Sequence, residues 1–280
     1  MTNWTCQTSS NEAGWCGAPA LDSGADSGRV GGQRHDVAVT GEESVAGAGR
    51  RGELRGRLEA VRGRIAAACR AVERDPGEVT LIAITKTFPA SDVRLLYELG
   101  VHDVGENRDQ EAAPKAAECA DLAPGLTWHF VGQLQTNKAA SVVRYARIIH
   151  SVDRLRLVRA LGEQARKADR LITCLVQVSL DADPRRGGSV PGQVPELAAA
   201  VAAEQGLLLG GVMAIAPLGV PPAQAFAPLP AAAAAVRKIR SAAEMISAGM
   251  SADMEAAIAV GATHVRVGTA LLGDRPPFVG

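Results

Sequence analysis

Lysine is scarce in this chain. Among 280 residues and 30 Lys+Arg, the lysines are Lys86, Lys115, Lys138, Lys167 and Lys238. Cysteine is scarce as well: Cys6, Cys16, Cys69, Cys119 and Cys174 are odd in number and include no Cys-x-x-Cys pair. That argues against a disulfide framework and reads as reduced thiols with structural roles. No His/Cys cluster has metal-ligand spacing. The formal net charge is +0, which removes the usual electrostatic argument for nucleic acid or an anionic membrane surface. No apolar run approaches the roughly 20 residues that span a bilayer, and the N-terminus lacks the basic-then-apolar pattern of a secretory signal. A cytoplasmic protein is the expectation. What is present is an ordinary 47% of hydrophobic residues, in a chain long enough for one large α/β domain or two.

The first 50 residues differ from the rest. The stretch "CQTSSNEAGWCGAPALDSGADSGRVGGQ" is rich in Gly, Ser and Asp and has no sustained period. Such composition does not offset the entropy of ordering it. Residues 1–50 are expected to be a disordered extension, or the product of a start placed too far upstream; Trp4 and Trp15 are at most a short docking motif. From Glu53, Leu54, Leu58, Val61, Ile65 and Cys69 recur at helical spacing, and "DPGE" ends that helix. Strand-like runs then follow at 79–88, 102–107, 127–132, 148–153, 174–180, 209–217, 245–250 and 264–273, separated by helical patterns. In "SDVRLLYELG", Ser91 or Asp92 is expected to cap the helix and Gly100 to end it. In "SADMEAAIAVG", Ser251 or Asp253 opens the helix and Gly261 closes it. Near-continuous apolar strands are those of a buried parallel sheet. Eight βα units predict a single (β/α)8 TIM-type barrel over 51–280. No Gly-x-Gly-x-x-Gly follows the first strand, as an open dinucleotide-binding sheet would require.

In such a barrel the functional face lies at the C-terminal ends of the strands, and polar residues collect there: Lys86, Glu106, Asn107, His129, Asp153, Gly249, Ser251, Arg266, Gly268 and Thr269. Gly249 and Ser251 stand at a helix entry, where free N–H groups and the helix dipole favour an anion. Gly268 permits close backbone approach and Thr269 supplies a hydroxyl. Read singly, Ser251 is an N-cap and Gly268 a relief of crowding; read together with Lys86, they favour a functional, phosphate-binding reading. Lys86 alone among the lysines interrupts a hydrophobic run, "LIAITKTFPA". An amine in a partly desolvated site is a nucleophile toward aldehydes. Pyridoxal 5'-phosphate (PLP) carries both an aldehyde and a phosphate, although Lys86 alone is equally compatible with a class I aldolase.

The stretches "AITKTFPASDVRLLYELGVHDVGENRDQEA", "LTWHFVGQLQTNKA", "IIHSVDRLRL", "GVMAIAP" and "AGMSADMEAAIAVGATHVRVGTALLG" resemble, in order, the pyridoxal phosphate homeostasis (YggS/PROSC-like) family over roughly residues 53–275. The resemblance implies a barrel like the alanine racemase N-terminal domain and an internal aldimine at Lys86. It also implies Arg266 opposite the pyridine nitrogen, Ser251, Gly268 and Thr269 around the phosphate, and Asn107, His129 and Met250 lining the pocket. Two departures are Arg108, where an aromatic residue is common, and Arg185-Arg186 after strand five. An arginine partner keeps the ring nitrogen unprotonated and the ring a weaker electron sink. A second base would have to come from elsewhere, and the only tyrosines, Tyr97 and Tyr145, fall in predicted helices. A non-catalytic, monomeric PLP carrier is therefore favoured, exchanging its cofactor with amines, amino acids or apo-enzymes. The alternative is a PLP-dependent amino-acid racemase, with His129 as the first suspect for its second base.

Overall fold

The computed structural model describes residues 41–181 and 187–274. Trp4, Trp15, Cys6, Cys16 and the Arg185-Arg186 pair lie outside the described residues. Eight parallel strands close into a barrel in sequence order: β1 (Thr80–Ile84), β2 (Asp103–Glu106), β3 (Thr127–Phe130), β4 (Ile148–Val152), β5 (Ile172–Val178), β6 (Leu207–Ala214), β7 (Met245–Ser247) and β8 (His264–Val267). The last strand pairs with the first, Thr80 opposite His264 and Ala83 opposite Val267. Each expected strand run overlaps one of these strands, although β5 and β6 each begin two residues before the run read for them. The main excess was at the end, where residues read as the tail of the eighth strand form a short helix, Thr269–Leu272. An apolar run looks the same in either conformation.

The helices around the barrel are α1 (Gly41–Ala71), α2 (Ala90–Glu98), α3 (Asp109–Glu118), α4 (Ala139–Tyr145), α5 (Leu155–Lys167), α6 (Val194–Ala203), α7 (Pro222–Phe226), α8 (Leu229–Ile239), α9 (Met254–Ala259) and α10 (Thr269–Leu272). Leu54, Leu58, Val61, Ile65 and Cys69 are all buried on one face of α1, which packs against α2, α9 and α10. Burying each of the large aliphatic side chains contributes about 1.5–3 kcal/mol. Two apolar clusters fill the layer between helices and strands. One is built around α1, β1 and β2 and the other around α4 to α8 with β4 to β6. Cys69, Cys119 and Cys174 are buried free thiols, and burial pushes Cys174 up to about 12. Among the described residues no helix is long and apolar enough to cross a membrane.

Helix ends follow the expected chemistry in part. Gly100 takes φ 79°, its N–H donates to Tyr97 O at 2.9 Å, and Val101 N–H donates to Leu96 O at 2.9 Å. That is the paired closure that needs a left-handed residue. The start of α2 differs from expectation. Its N-cap is Pro89, with no side-chain cap, and Asp92 lies inside the first turn. Asp92 is taken instead by Arg50, whose Nε and Nη2 donate to its two oxygens at 3.2 and 2.7 Å. Arg50 Nη2 also donates to Leu272 O at 3.0 Å, and its guanidinium stands 5.7 Å from the centroid of the Phe88 ring. The first helix begins at Gly41 rather than Glu53, and Arg50, read with the extension, ties α1 to both α2 and α10. The Arg/Gly-rich start of that helix has no apolar period to reveal it.

Arg50→Ala should therefore cost about 1–3 kcal/mol in urea denaturation, because it leaves the buried Asp92 carboxylate unpaired. Glu53→Ala, which breaks only the surface pairs with Arg50 and Arg57, should cost about 0.5 kcal/mol or less. Equal costs would remove Arg50 from this role.

Candidate binding site at the C-terminal mouth of the barrel

A cavity of about 450 Å³ opens at the C-terminal ends of the strands. Lys86 enters it from just beyond β1, Asn107 from just beyond β2, and Gly132 and Gln133 from beyond β3. Gln177 comes from β5, Ile215 from just beyond β6, Met250 and Ser251 from beyond β7, Arg266 from β8, and Gly268 and Thr269 from its end. The candidates Lys86, Asn107, Met250, Ser251, Arg266, Gly268 and Thr269 thus share one cavity. His129 does not line it. It is fully buried inside the barrel, with Nε2 2.9 Å from Asp103 Oδ1 and Nδ1 2.9 Å from His150 Nε2. The last residue of β3 is Phe130, and the residues that reach the mouth from this strand lie beyond it, so His129 sits below the floor of the cavity.

Arg266 is only 5% exposed. Its Nη1 donates to Ser247 O at 2.9 Å and Ser247 Oγ at 2.7 Å, and its Nη2 to Ala214 O at 2.9 Å. These bonds hold the guanidinium against the ends of β6 and β7. Burial lowers its pKa to about 10, so it remains a cation and a permanent donor at neutral pH. The loop after β7 is shaped from both sides. Asp253 Oδ1 accepts from Met250 N–H at 2.5 Å, and Arg64 of α1 donates to Ser251 O at 2.9 Å. Ser251 Oγ accepts from Ala270 N–H, in the first turn of α10, at 3.3 Å.

The two glycines read from the sequence separate in role. Gly249 has φ 89°, and a Cβ there would lie 2.7 Å from Ala257 Cβ and 2.8 Å from Met254 Cα. Backbone conformation and packing together require glycine, and Gly249 is not part of the lining. Gly268 has φ −110°, and a Cβ would meet Ile84 no closer than 3.5 Å. Neither strain nor packing demands glycine there. A side chain would instead take space beside the cavity that Gly268 and Ile84 both line.

The turn that carries Lys86 is gripped from α3. Lys115 Nζ donates to Thr85 O at 2.7 Å and pairs with Glu106 Oε1 at 2.6 Å. Thr85 Oγ1 donates to the same oxygen at 2.7 Å. On the other side of Lys86, Thr87 N–H donates to Glu111 Oε2 at 3.2 Å, with Thr87 in the left-handed region at φ 68°. That conformation is costly for a β-branched residue, so the surrounding bonds define where Lys86 sits. Lys115 is itself buried, against the expectation from its polar surroundings in "DQEAAPKAAE". It is paired with Glu106 and absent from the lining, whereas Lys86 lines the cavity. Glu106 also turns out to be structural. It is fully buried, its Oε2 has no hydrogen-bond partner, and burial holds its carboxyl above the usual range against the opposing pull of Lys115. Gln133 and Gln177 line the cavity without having been singled out, since a glutamine in a strand or loop carries no signal of its own.

A closed parallel barrel that converges a lysine beyond β1 and an arginine on β8 defines the class. Residues 57–276 match the alanine racemase N-terminal domain family. More closely, the chain belongs to the pyridoxal phosphate homeostasis protein family. It is 46% identical over 244 residues to the family protein of Mycobacterium tuberculosis, covering 81% of this chain and 94% of that one. It is 38% identical over 222 residues to that of Escherichia coli, covering 78% and 95%. Among solved structures it is similar to PipY of Synechococcus elongatus with PLP bound, at 36% identity and TM-score 0.69, covering 79% of this chain and 100% of that one. Alanine racemase of Corynebacterium glutamicum, at 15% identity and TM-score 0.57 over 78% of this chain and 63% of that one, shares the fold.

Lys115→Met should cost about 3–5 kcal/mol near neutral pH, because it strands a buried carboxylate. The cost should shrink as pH falls. Burial already raises the folded-state pKa of Glu106, and loss of Lys115 raises it further. The folded protein then takes up a proton before the unfolded chain does, and that stabilisation is lost again as pH rises. Urea denaturation at about pH 5 and about pH 8 checks this; an equal cost at both would contradict it.

Proposed function

We propose that the cavity binds pyridoxal 5'-phosphate, with Lys86 as its covalent anchor through an imine, and that the protein carries and hands on the cofactor without strong catalysis. The observation that carries this reading is the convergence of Lys86, Arg266, Ser251, Gly268 and Thr269 on one cavity. The family name and the PLP-bound PipY structure support it. The cavity's volume suits a ligand of this size, and the space left at Gly268 suits close approach of a phosphate to backbone. When bound, PLP supplies an aldehyde carbon for the lysine and a ring that withdraws electrons.

The residues of the chain divide the remaining work. Ser251, Thr269 and the backbone at Gly268 hold the phosphate by charge-assisted hydrogen bonds. Asn107 and Met250 flank the ring. Arg266 donates to the ring nitrogen and keeps it without a proton, which weakens the ring as an electron sink. Among the described lining residues the ionisable side chains are Lys86 and Arg266. Two-base racemisation needs another, opposite the lysine. His129 has both nitrogens engaged below the cavity. Tyr145 lies on α4, its hydroxyl 3.5 Å from Asp109 and its pKa raised by burial. Tyr97 lies on α2 with its ring 4.9 Å from that of His102. The carrier reading follows, with amines, amino acids or apo-enzymes as acceptors, and with a monomer sufficient for it.

Borohydride treatment of the loaded protein should fix a phosphopyridoxyl mass on the peptide containing Lys86, and Lys86→Ala should lose the yellow absorption band. A label on Lys115 or Lys138 would overturn the assignment. Ser251→Ala should weaken PLP binding by about 1–2 kcal/mol and leave phosphate-free pyridoxal nearly unaffected. Equal losses for both ligands would place the phosphate elsewhere.

A further inference from the structure

Behind Arg266 the barrel interior holds a continuous run of hydrogen bonds that the binding reading does not use. Arg266 Nη1 lies 2.7 Å from Ser247 Oγ, and Ser247 Oγ 2.9 Å from His150 Nδ1. His150 Nε2 lies 2.9 Å from His129 Nδ1, and His129 Nε2 2.9 Å from Asp103 Oδ1. The members come from β8, β7, β4, β3 and β2, and the run crosses the lumen between β7 and β4, which are not neighbours in the sheet. Ser247, His150 and His129 are fully buried. Asp103, the first residue of β2, has its side chain 29% exposed at the opposite mouth.

The donor direction follows from elimination. A guanidinium only donates, so Ser247 Oγ accepts from Arg266 and its own proton goes to His150 Nδ1. His150 therefore carries its proton on Nε2 and donates to His129 Nδ1. His129 carries its proton on Nε2 and donates to Asp103, whose carboxylate only accepts. The opposite direction would leave the serine accepting from both neighbours, and would need either a protonated Asp103 or a second proton on His129. Burial also holds His150 well below the usual histidine range, consistent with a neutral imidazole.

We infer that Asp103 is a positioning residue for the ligand-facing arginine: its charge, passed through His129, His150 and Ser247, sets how strongly Arg266 donates to the ring nitrogen of the bound cofactor. The inference rests on the PLP reading above. Each link accepts more strongly because the next one does, so density drawn from the Asp103 carboxylate partly neutralises the guanidinium. Asp103→Asn keeps an acceptor for His129 and removes the charge, which should leave Arg266 a stronger donor toward the ligand.

The test compares PLP with its deaza analogue, which keeps the aldehyde and phosphate but has carbon in place of the ring nitrogen. Asp103→Asn should raise the ratio of PLP affinity to analogue affinity by about two- to fourfold, the scale expected when polarisation of 10–30% per bond acts on a charged hydrogen bond. In a Ser247→Ala background the same change should leave the ratio unaltered. Histidine 15N NMR of the ligand-free wild type, which depends on no variant, should find His129 and His150 both neutral with the proton on Nε2. A proton on Nδ1 of either ring, or a charged ring, overturns the relay. A ratio that is unchanged in Asp103→Asn, or that responds equally with and without Ser247, overturns its influence on Arg266. If the wild type does not discriminate between the two ligands at all, Arg266 does not face a ring nitrogen. The binding reading then fails at that point and takes this inference with it, even with the tautomers as stated.

Discussion

Much of the site depends on a buried cation whose hydrogen-bond partners among the described residues include no carboxylate. Arg266 is held by Ser247 O, Ser247 Oγ and Ala214 O, all neutral acceptors. An unpaired charge in a barrel interior is costly, and the cost is offset only if every donor finds an acceptor. Strand ends supply those acceptors. Ala214 closes β6 and Ser247 closes β7, so satisfying Arg266 fixes the points from which Ile215 and the Met250–Ser251 turn enter the cavity. The arginine is thus both a wall of the site and the tie between three adjacent strands.

A parallel polarity governs the lysine side. Lys86 occupies a turn whose two flanks are fastened to α3 through Lys115, Glu106 and Glu111. A buried ion pair of this kind contributes little net stability compared with an apolar replacement, but removing one partner is costly. Its use here is geometric: it determines where the peptide around Lys86 runs. Arg266 and Lys86 thus both enter one cavity, each from a position fixed by hydrogen bonds of its own surroundings. Among the described residues the cavity lacks the second ionisable group that proton transfer at the far face of bound PLP would need.

The strands were legible because buried parallel strands leave apolar runs, and "TWHF", "IIHSV" and "ITCLVQV" kept their bounds to within a few residues. Most of the site was legible because it lies just past those runs, where a polar residue stands out. His129 misled for a related reason. A histidine inside a strand marks the barrel interior as readily as the mouth, and the next position on the same face, Val131, already lines the cavity. Lys115 and Arg50 were not legible at all. Each is polar within a polar helical stretch, and its place in the fold is set by a partner on another element, Glu106 for the buried Lys115 and Asp92 for the part-buried Arg50. Arg50 in particular lies in the part of α1 that carries no apolar period.

The central claim is that the chain holds PLP without using it for carbanion chemistry. Its most direct test is deuterium uptake at Cα of L-alanine in heavy water, with the wild-type protein saturated in PLP and Lys86→Ala as the control. The account predicts exchange no faster than free PLP gives, in both proteins. Sustained exchange by the wild type that disappears in Lys86→Ala would contradict it and would require a second base at the cavity.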